Sequence, residues 1–132
     1  MEGELHGFIA APSNQSTGAP WGCGIEIIGT SENLGTGYQN TFLIITANPA
    51  TGIAARLCYD LVLNGYDDWY LPSYKELYKL YLNRAAIGIS STGSYWTSTL
   101  GLFGPYSFSF FSDTYFFGGC DGLKNVRAIR SF

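Results

Sequence analysis

Residues 65–77 read Gly65-Tyr66-Asp67-Asp68-Trp69-Tyr70-Leu71-Pro72-Ser73-Tyr74-Lys75-Glu76-Leu77, and within this stretch a helix must begin. The Ser73 hydroxyl is placed to accept from the backbone of the first turn while Glu76, three residues on, bonds back, which is the capping-box pattern. Pro72 opposes any backward extension of that helix. Downstream, Tyr74, Leu77, Tyr78, Leu80 and Tyr81 give it a broad apolar side. Upstream, the stretch from Pro49 to Leu63 sets Ile53, Leu57, Cys58 and Leu61 at i, i+4, i+5 and i+8, which predicts another helix. Asn64-Gly65 supplies its stop, because glycine takes the left-handed conformation without strain. Asp67-Asp68 reads as turn formation and capping, since carboxylates adjacent in sequence rarely converge on one substrate atom.

On both sides of this helical middle the chain reads as strands. His6 to Ala11 has strand character and is followed by a turn-rich stretch through Pro12, Ser13, Asn14 and Gly18. Gly24–Ile28 and Thr41–Ile45 are apolar runs of strand length, the second also compatible with a helix. Tyr95–Thr99 and Tyr106–Phe110 read as strands, the latter alternating ring and hydroxyl at period two. Asn125–Phe132 alternates apolar and polar residues as a last strand. Strands, two helices and then a meander of strands make an α+β chain, expected to form a single domain over residues 1–132.

The 132 residues are 46% hydrophobic and 13% charged, so there is enough apolar surface to offset chain entropy and disorder is excluded. A net charge of −3 is the wrong sign for a nucleic-acid binder. No run of 18 apolar residues occurs, so no membrane insertion is expected, and the Met-Glu-Gly-Glu-Leu-His start has neither the basic nor the apolar part of a secretion signal. Cys23, Cys58 and Cys120 are an odd set without CxxC spacing, which signals neither a zinc site nor a disulfide framework. Three free thiols are the expectation, with a Cys23–Cys58 pair left open; Cys58 suits an apolar helix face. His6, the one histidine, has no nucleophile elbow near it and reads as structural or surface. No phosphate loop or EF-hand pattern is present either, so the chain is read as a non-enzyme with no metal and no cofactor.

The unusual segment is Leu100 to Leu123. It packs eight aromatic residues and five glycines into 24 positions and contains no Lys, Glu, Gln, Met or Trp, types that fill 14 of the other 108 positions. A buried strand pair explains Phe108, Phe110 and Phe111, which are assigned to the core. It does not explain Tyr115-Phe116-Phe117 running into Gly118-Gly119-Cys120-Asp121-Gly122, because a glycine-rich loop keeps its backbone near water. Exposed rings spaced by Gly and Ser have the composition of a paratope: rigid contact area with adaptable spacers.

Several motifs together resemble one family. These are Gly7-Phe8-Ile9-Ala10-Ala11-Pro12-Ser13-Asn14-Gln15-Ser16-Thr17 with Trp21-Gly22-Cys23, the central Gly65–Ser73 run with Glu76-Leu77, Tyr95-Trp96-Thr97-Ser98-Thr99, and Val126-Arg127-Ala128-Ile129-Arg130. They resemble the collagen-like adhesin C-terminal domain family, which has a C-type-lectin-like fold. The resemblance implies two helices packed on antiparallel strands, Trp69, Trp96, Leu71 and Pro72 in the core, and first and last strands paired so that the termini meet. Against many members of that family this chain begins late, so an initial strand is expected to be missing. The Glu-Pro-Asn and Trp-Asn-Asp signatures of calcium-dependent sugar-binding lectins are absent, so calcium-mediated sugar binding is not implied.

Within that family the chain is similar to the variable proteins of diversity-generating retroelements, whose diversified stretch lies near the C-terminus. There a reverse transcriptase miscopies adenines, and asparagine codons ending in a pyrimidine become a mixture that cannot encode Lys, Glu, Gln, Met or Trp. The resemblance thus implies a variable region at 99–123, presented on a virion or cell surface to a protein or cell-surface ligand. The expected contacts are Leu100, Leu102, Phe103, Tyr106, Asp113, Tyr115, Phe116, Phe117, Cys120, Asp121 and Leu123. Rings would supply affinity and the two aspartates charge selectivity. The alternative is an invariant adhesin domain that binds glycans or matrix polymers through the same face. So many exposed rings are also compatible with self-association.

Overall fold

A computed structural model describes residues 7–25, 29–89 and 92–132. His6 and residues 26–28 of the Gly24–Ile28 expectation lie outside the described residues. The elements are β1 (Phe8–Ala10), β2 (Ser16–Ala19), α1 (Gly37–Ala47), α2 (Ala54–Tyr59), α3 (Tyr74–Leu82), β3 (Ser94–Gly101), β4 (Gly104–Ser109), β5 (Thr114–Phe117), β6 (Lys124–Val126) and β7 (Ile129–Ser131). The class is α+β. One sheet is the antiparallel pair β1–β7, and the other runs β2-β6-β3-β4-β5. In the larger sheet only β3 and β6 are parallel, meeting at Tyr95 and Asn125.

Among the described residues three helices form, not two. Thr41–Ile45, read as a run of strand length also compatible with a helix, takes the second form and lies inside α1. Its buried positions are Gly37, Asn40, Thr41, Ile44 and Ile45, an i, i+3, i+4, i+7, i+8 stripe. Asn40 and Thr41 make two of its five positions polar, which hides it from a hydrophobic scan. Asn40 is nonetheless satisfied by the Ser31 N–H at 2.9 Å and the Ser31 carbonyl at 2.7 Å. Thr41 Oγ1 donates to the Gly37 carbonyl at 2.7 Å and accepts from the Leu71 N–H at 3.0 Å.

The helix expected over 49–63 is only Ala54–Tyr59. Asn64-Gly65 does use left-handed backbone, with φ of 55° and 81°, but as the turn of a two-residue hairpin. Leu63 and Tyr66 exchange both N–H···O bonds across it at 3.0 Å. The Ser73 capping box forms as read, with the Ser73 N–H donating to Glu76 Oε1 at 2.8 Å.

Tyr95 and Trp96, adjacent on β3, point to opposite faces of the sheet and seed separate cores. Trp96 joins Trp21, Ile44, Ile53, Trp69 and Leu71, while Tyr95 joins Leu77, Tyr81, Phe108 and Phe110. All three indole N–H groups find carbonyls: Trp21 that of Thr97, Trp69 that of Tyr66 and Trp96 that of Ala19. Pro72 is buried beside Leu71.

The single last strand of the sequence reading is divided into β6 and β7. Between them Arg127 turns inward, its Nε donating to Asn14 Oδ1 at 2.7 Å and its Nη1 to the Ala11 carbonyl at 2.8 Å. β7 pairs with β1 in the register Phe8↔Ser131, bringing the two ends of the described chain together.

Three free thiols do not occur. Cys23 is disulfide-bonded to Cys120 across 97 residues of sequence, with Cα atoms 5.2 Å apart. An odd count without regular spacing carries no pairing signal, and only the fold brings these loops together. Cys58 is free and fully buried in α2, where burial pushes its thiol far above the ordinary range and keeps it inert.

Candidate functional site

The aromatic segment folds as two successive hairpins that carry the sheet beyond its core. Leu102 and Phe103 form the tip between β3 and β4, 80% and 76% exposed. Every residue of β5, the outermost strand, is exposed. Pairing of Tyr106 with Phe117 and of Phe108 with Tyr115 puts these four on one face of the sheet. Phe116, opposite Ser107, points to the other face.

On the first face the rings make a continuous ladder. Tyr74 of α3 lies 5.0 Å from Tyr115 and 5.9 Å from Tyr106 between ring centroids. Tyr106 lies 5.8 Å from Tyr115 and 6.1 Å from Phe117, which continues to Phe103 at 5.5 Å. These separations are those of attractive aromatic pairs. Burial, then the neighbouring phenols of Tyr115 and Tyr78 and the carboxylates of Glu32 and Asp113, push the Tyr74 hydroxyl above its ordinary range. It is therefore neutral across the physiological range and donates or accepts without charge.

Close backbone contacts hold the ladder in place. A Cβ at Gly101 would stand 2.6 Å from the Tyr106 ring, so the ring packs where only glycine leaves room. Gly104 has φ +122°, and a Cβ there would stand 2.6 Å from the Gly118 Cα, so the two hairpin segments cross at a pair of glycines. Beyond them the loop is clamped. Cys120 is disulfide-bonded to Cys23, and its carbonyl accepts from the N–H groups of Trp21 and Gly22, each at 3.1 Å.

The expected contact residues divide into groups. Phe103, Tyr106, Tyr115 and Phe117 are brought together in the ladder, with Leu102 at its tip. Phe116 and Leu123 are exposed, 50% and 69%, but Phe116 lies on the reverse face and Leu123 beside β2, its Cβ 3.8 Å from where Gly18 would carry one. Asp113 and Asp121 are exposed at the two turns flanking β5. Leu100 packs against the Trp96-side core, and both its N–H and carbonyl bond to Thr30 Oγ1. Cys120 is the clamp.

Phe111, assigned to the core with Phe108 and Phe110, is instead 82% exposed. It follows the last β4 residues at the turn, where alternation no longer directs side chains inward. Sequence reasoning missed Tyr74, because as a helix residue it was counted on an apolar core-facing side.

Two other features bear on function. The sulfurs of Cys23 and Cys120 and the Asp121 carboxylate lie within 4.8 Å of one another, but sulfurs bonded to each other offer no thiolate to a metal. Asp68 grips Arg130 with two bonds of 2.8 and 3.0 Å, and that guanidinium lies 3.6 Å from the Tyr66 ring centroid. The hydrogen bond from Arg130 holds the Asp68 carboxyl below its usual range. No protein-family model matches the chain, and no curated protein matches it significantly.

Proposed function

We propose that the chain is a ligand-binding display module rather than an enzyme. It would be a C-type-lectin-like scaffold of the diversity-generating retroelement type, whose surface at 99–123 is varied to fit different protein or cell-surface ligands. The observation that carries this reading is the exposure of seven large apolar side chains between Leu102 and Leu123 on a clamped backbone. Leu102, Phe103, Phe111, Tyr115, Phe116, Phe117 and Leu123 are each at least 46% exposed. Apolar surface of this concentration is uncommon on a chain with no partner for it. Flat rings lose few rotatable bonds on binding, so their burial converts efficiently into affinity.

The C-type-lectin-like assignment is supported by the pairing of β1 with β7 and by the tryptophan core formed by the motif residues. Contacts would come first from Phe103, Tyr106, Tyr115 and Phe117, with Tyr74 as their fixed neighbour and Asp113 and Asp121 favouring cationic groups at the margins.

Sequencing this locus across a clonal natural population tests the reading. Substitutions concentrated at residues 99–123, with the rest of the chain constant, are the expected result. A uniform sequence there would overturn diversified recognition and leave an adhesin domain with one fixed partner.

A further inference from the structure

We propose that β5 is a self-pairing edge, through which two copies of this chain join antiparallel about a two-fold axis at Phe116. β5 ends the five-stranded sheet, bonded to β4 on one side and, among the described residues, to no strand on the other. The Gly118 N–H donates to the Pro105 carbonyl at 3.0 Å, and bonded positions in an antiparallel pair recur at every second residue. Thr114 and Phe116 therefore bond inward to Ser109 and Ser107, and Tyr115 and Phe117 turn their N–H and C=O groups away from the sheet.

Those outward groups are self-complementary. With Phe116 on the axis, Tyr115 of one copy lies opposite Phe117 of the other, and each such pair exchanges two backbone hydrogen bonds. On one face Tyr115 meets Phe117 twice, and on the other Phe116 meets its own mate. Cross-strand aromatic pairs are among the stabilising ones. An unrelated extended peptide would satisfy the backbone, but a second copy also matches ring to ring at Tyr115, Phe116 and Phe117.

Charge permits the same register. Carried beyond the strand it sets Asp113 toward Gly119 and Asp121 toward Phe111, so the carboxylates of a chain with net charge −3 do not face each other. Three devices that protect edge strands are missing as well: Thr114-Tyr115-Phe116-Phe117 holds no proline and no charge, and its register with β4 has no bulge. Pairing would join the two ring ladders into one platform. The inference does not depend on the ligand-binding reading, because its test uses no ligand.

Sedimentation equilibrium of the wild-type chain from about 10 µM to about 1 mM, the range in which a small contact forms, should show the mass rising from 14.4 kDa toward twice that value. A monomer throughout overturns the proposal. Amide exchange on the same samples should show Tyr115 and Phe117 slowing as dimer forms, while Phe116 is slow at every concentration. Unslowed Tyr115 and Phe117 amides in a sample of doubled mass place the interface elsewhere and overturn it too. Phe116→Lys sets like charges on the axis and should abolish the dimer, and an equimolar mixture with Phe116→Glu should restore it. A Phe116→Lys protein that still dimerises refutes the register.

Discussion

Breaking the Cys23–Cys120 bridge should cost this chain a large part of its stability. The bridge closes a loop of 97 residues, and in the chain-entropy model a loop of that size lowers the unfolded chain's freedom by about 4.7 kcal/mol at 25 °C. Unfolding entropy of about 2.1 cal/mol/K per residue gives a chain of this length roughly 0.28 kcal/mol/K, so the midpoint should fall by about 17 °C. The fall acts through the unfolded state, since Trp21 and Gly22 still donate to the Cys120 carbonyl in the folded one. Calorimetry of the native protein, of the protein under reductant, and of a Cys23→Ser, Cys120→Ser double variant checks this. The reduced and double-variant proteins should agree, because Cys58 is buried and takes no part in exchange. A fall of under about 5 °C in both would refute the entropic reasoning, and would mean that the unfolded chain already holds these two loops near each other.

Replacing Phe116 and Phe117 together by serine should lower the midpoint by about 7 °C, since each half-exposed ring forfeits about 1 kcal/mol, while ligand capture from a display panel is lost. Gly104→Ala should destabilise by about 2 kcal/mol in urea titration, because φ is +122° and the added carbon meets the Gly118 backbone. Two carboxylates should give opposite pH slopes. Burial raises the Glu76 carboxyl above its ordinary value, against the N–H donors of Ser73, Gly35 and Gly37, so the fold binds that proton more tightly than the unfolded chain does. Its contribution is therefore greatest below the ordinary glutamate range and declines as pH rises through the folded value. Asp68 is lowered by Arg130, so its contribution is present above the ordinary aspartate range and is lost as pH falls through the folded value. Urea midpoints against pH for Asp68→Asn should lack that acid-side loss; an unchanged profile would remove the Arg130 contact from the account.

Local chemistry was legible in the sequence wherever one residue type had one job. Ser73 and Glu76 fit only a capping box, and it forms. The ring–hydroxyl alternation of Tyr106–Phe110 is a strand as far as Ser109, with Phe108 buried in it and Phe110 buried just past its end. Failures came where a polar residue does core work. α1 buries Asn40 and Thr41 because the Ser31 loop and Leu71 satisfy them, partners that lie outside the helix and carry no periodic signal. The Cys23–Cys120 bond is likewise a product of tertiary proximity. At the candidate site the aromatic excess located the face, but period two could not tell which rings lie past the end of a strand, and so Phe111 was misplaced. Tyr74 was hidden because it belongs to a helix whose other rings do face the core.

The segment from Leu100 to Leu123 holds two kinds of position, and the difference bears on whether it can be varied. Gly101 lies under the Tyr106 ring, Gly104 and Gly118 cross backbone to backbone, Cys120 is half of the clamp, and Phe108 and Phe110 are core. Change at any of these strains the hairpins themselves. Leu102, Phe103, Phe111, Tyr115, Phe116, Phe117 and Leu123 lie among or beside them, and each keeps about half or more of its surface in water, so exchange there forfeits little burial. The free energy that fixes the backbone comes from the tryptophan core, the glycine crossing and the disulfide, none of which needs a particular side chain at the exposed positions. A surface built this way can change its chemistry without changing its shape. On the display reading, substitutions among sister sequences should therefore fall at the seven exposed positions and spare the glycines and Cys120. A population in which Gly104 and Gly118 vary as freely as Phe116 would contradict that separation of scaffold from surface.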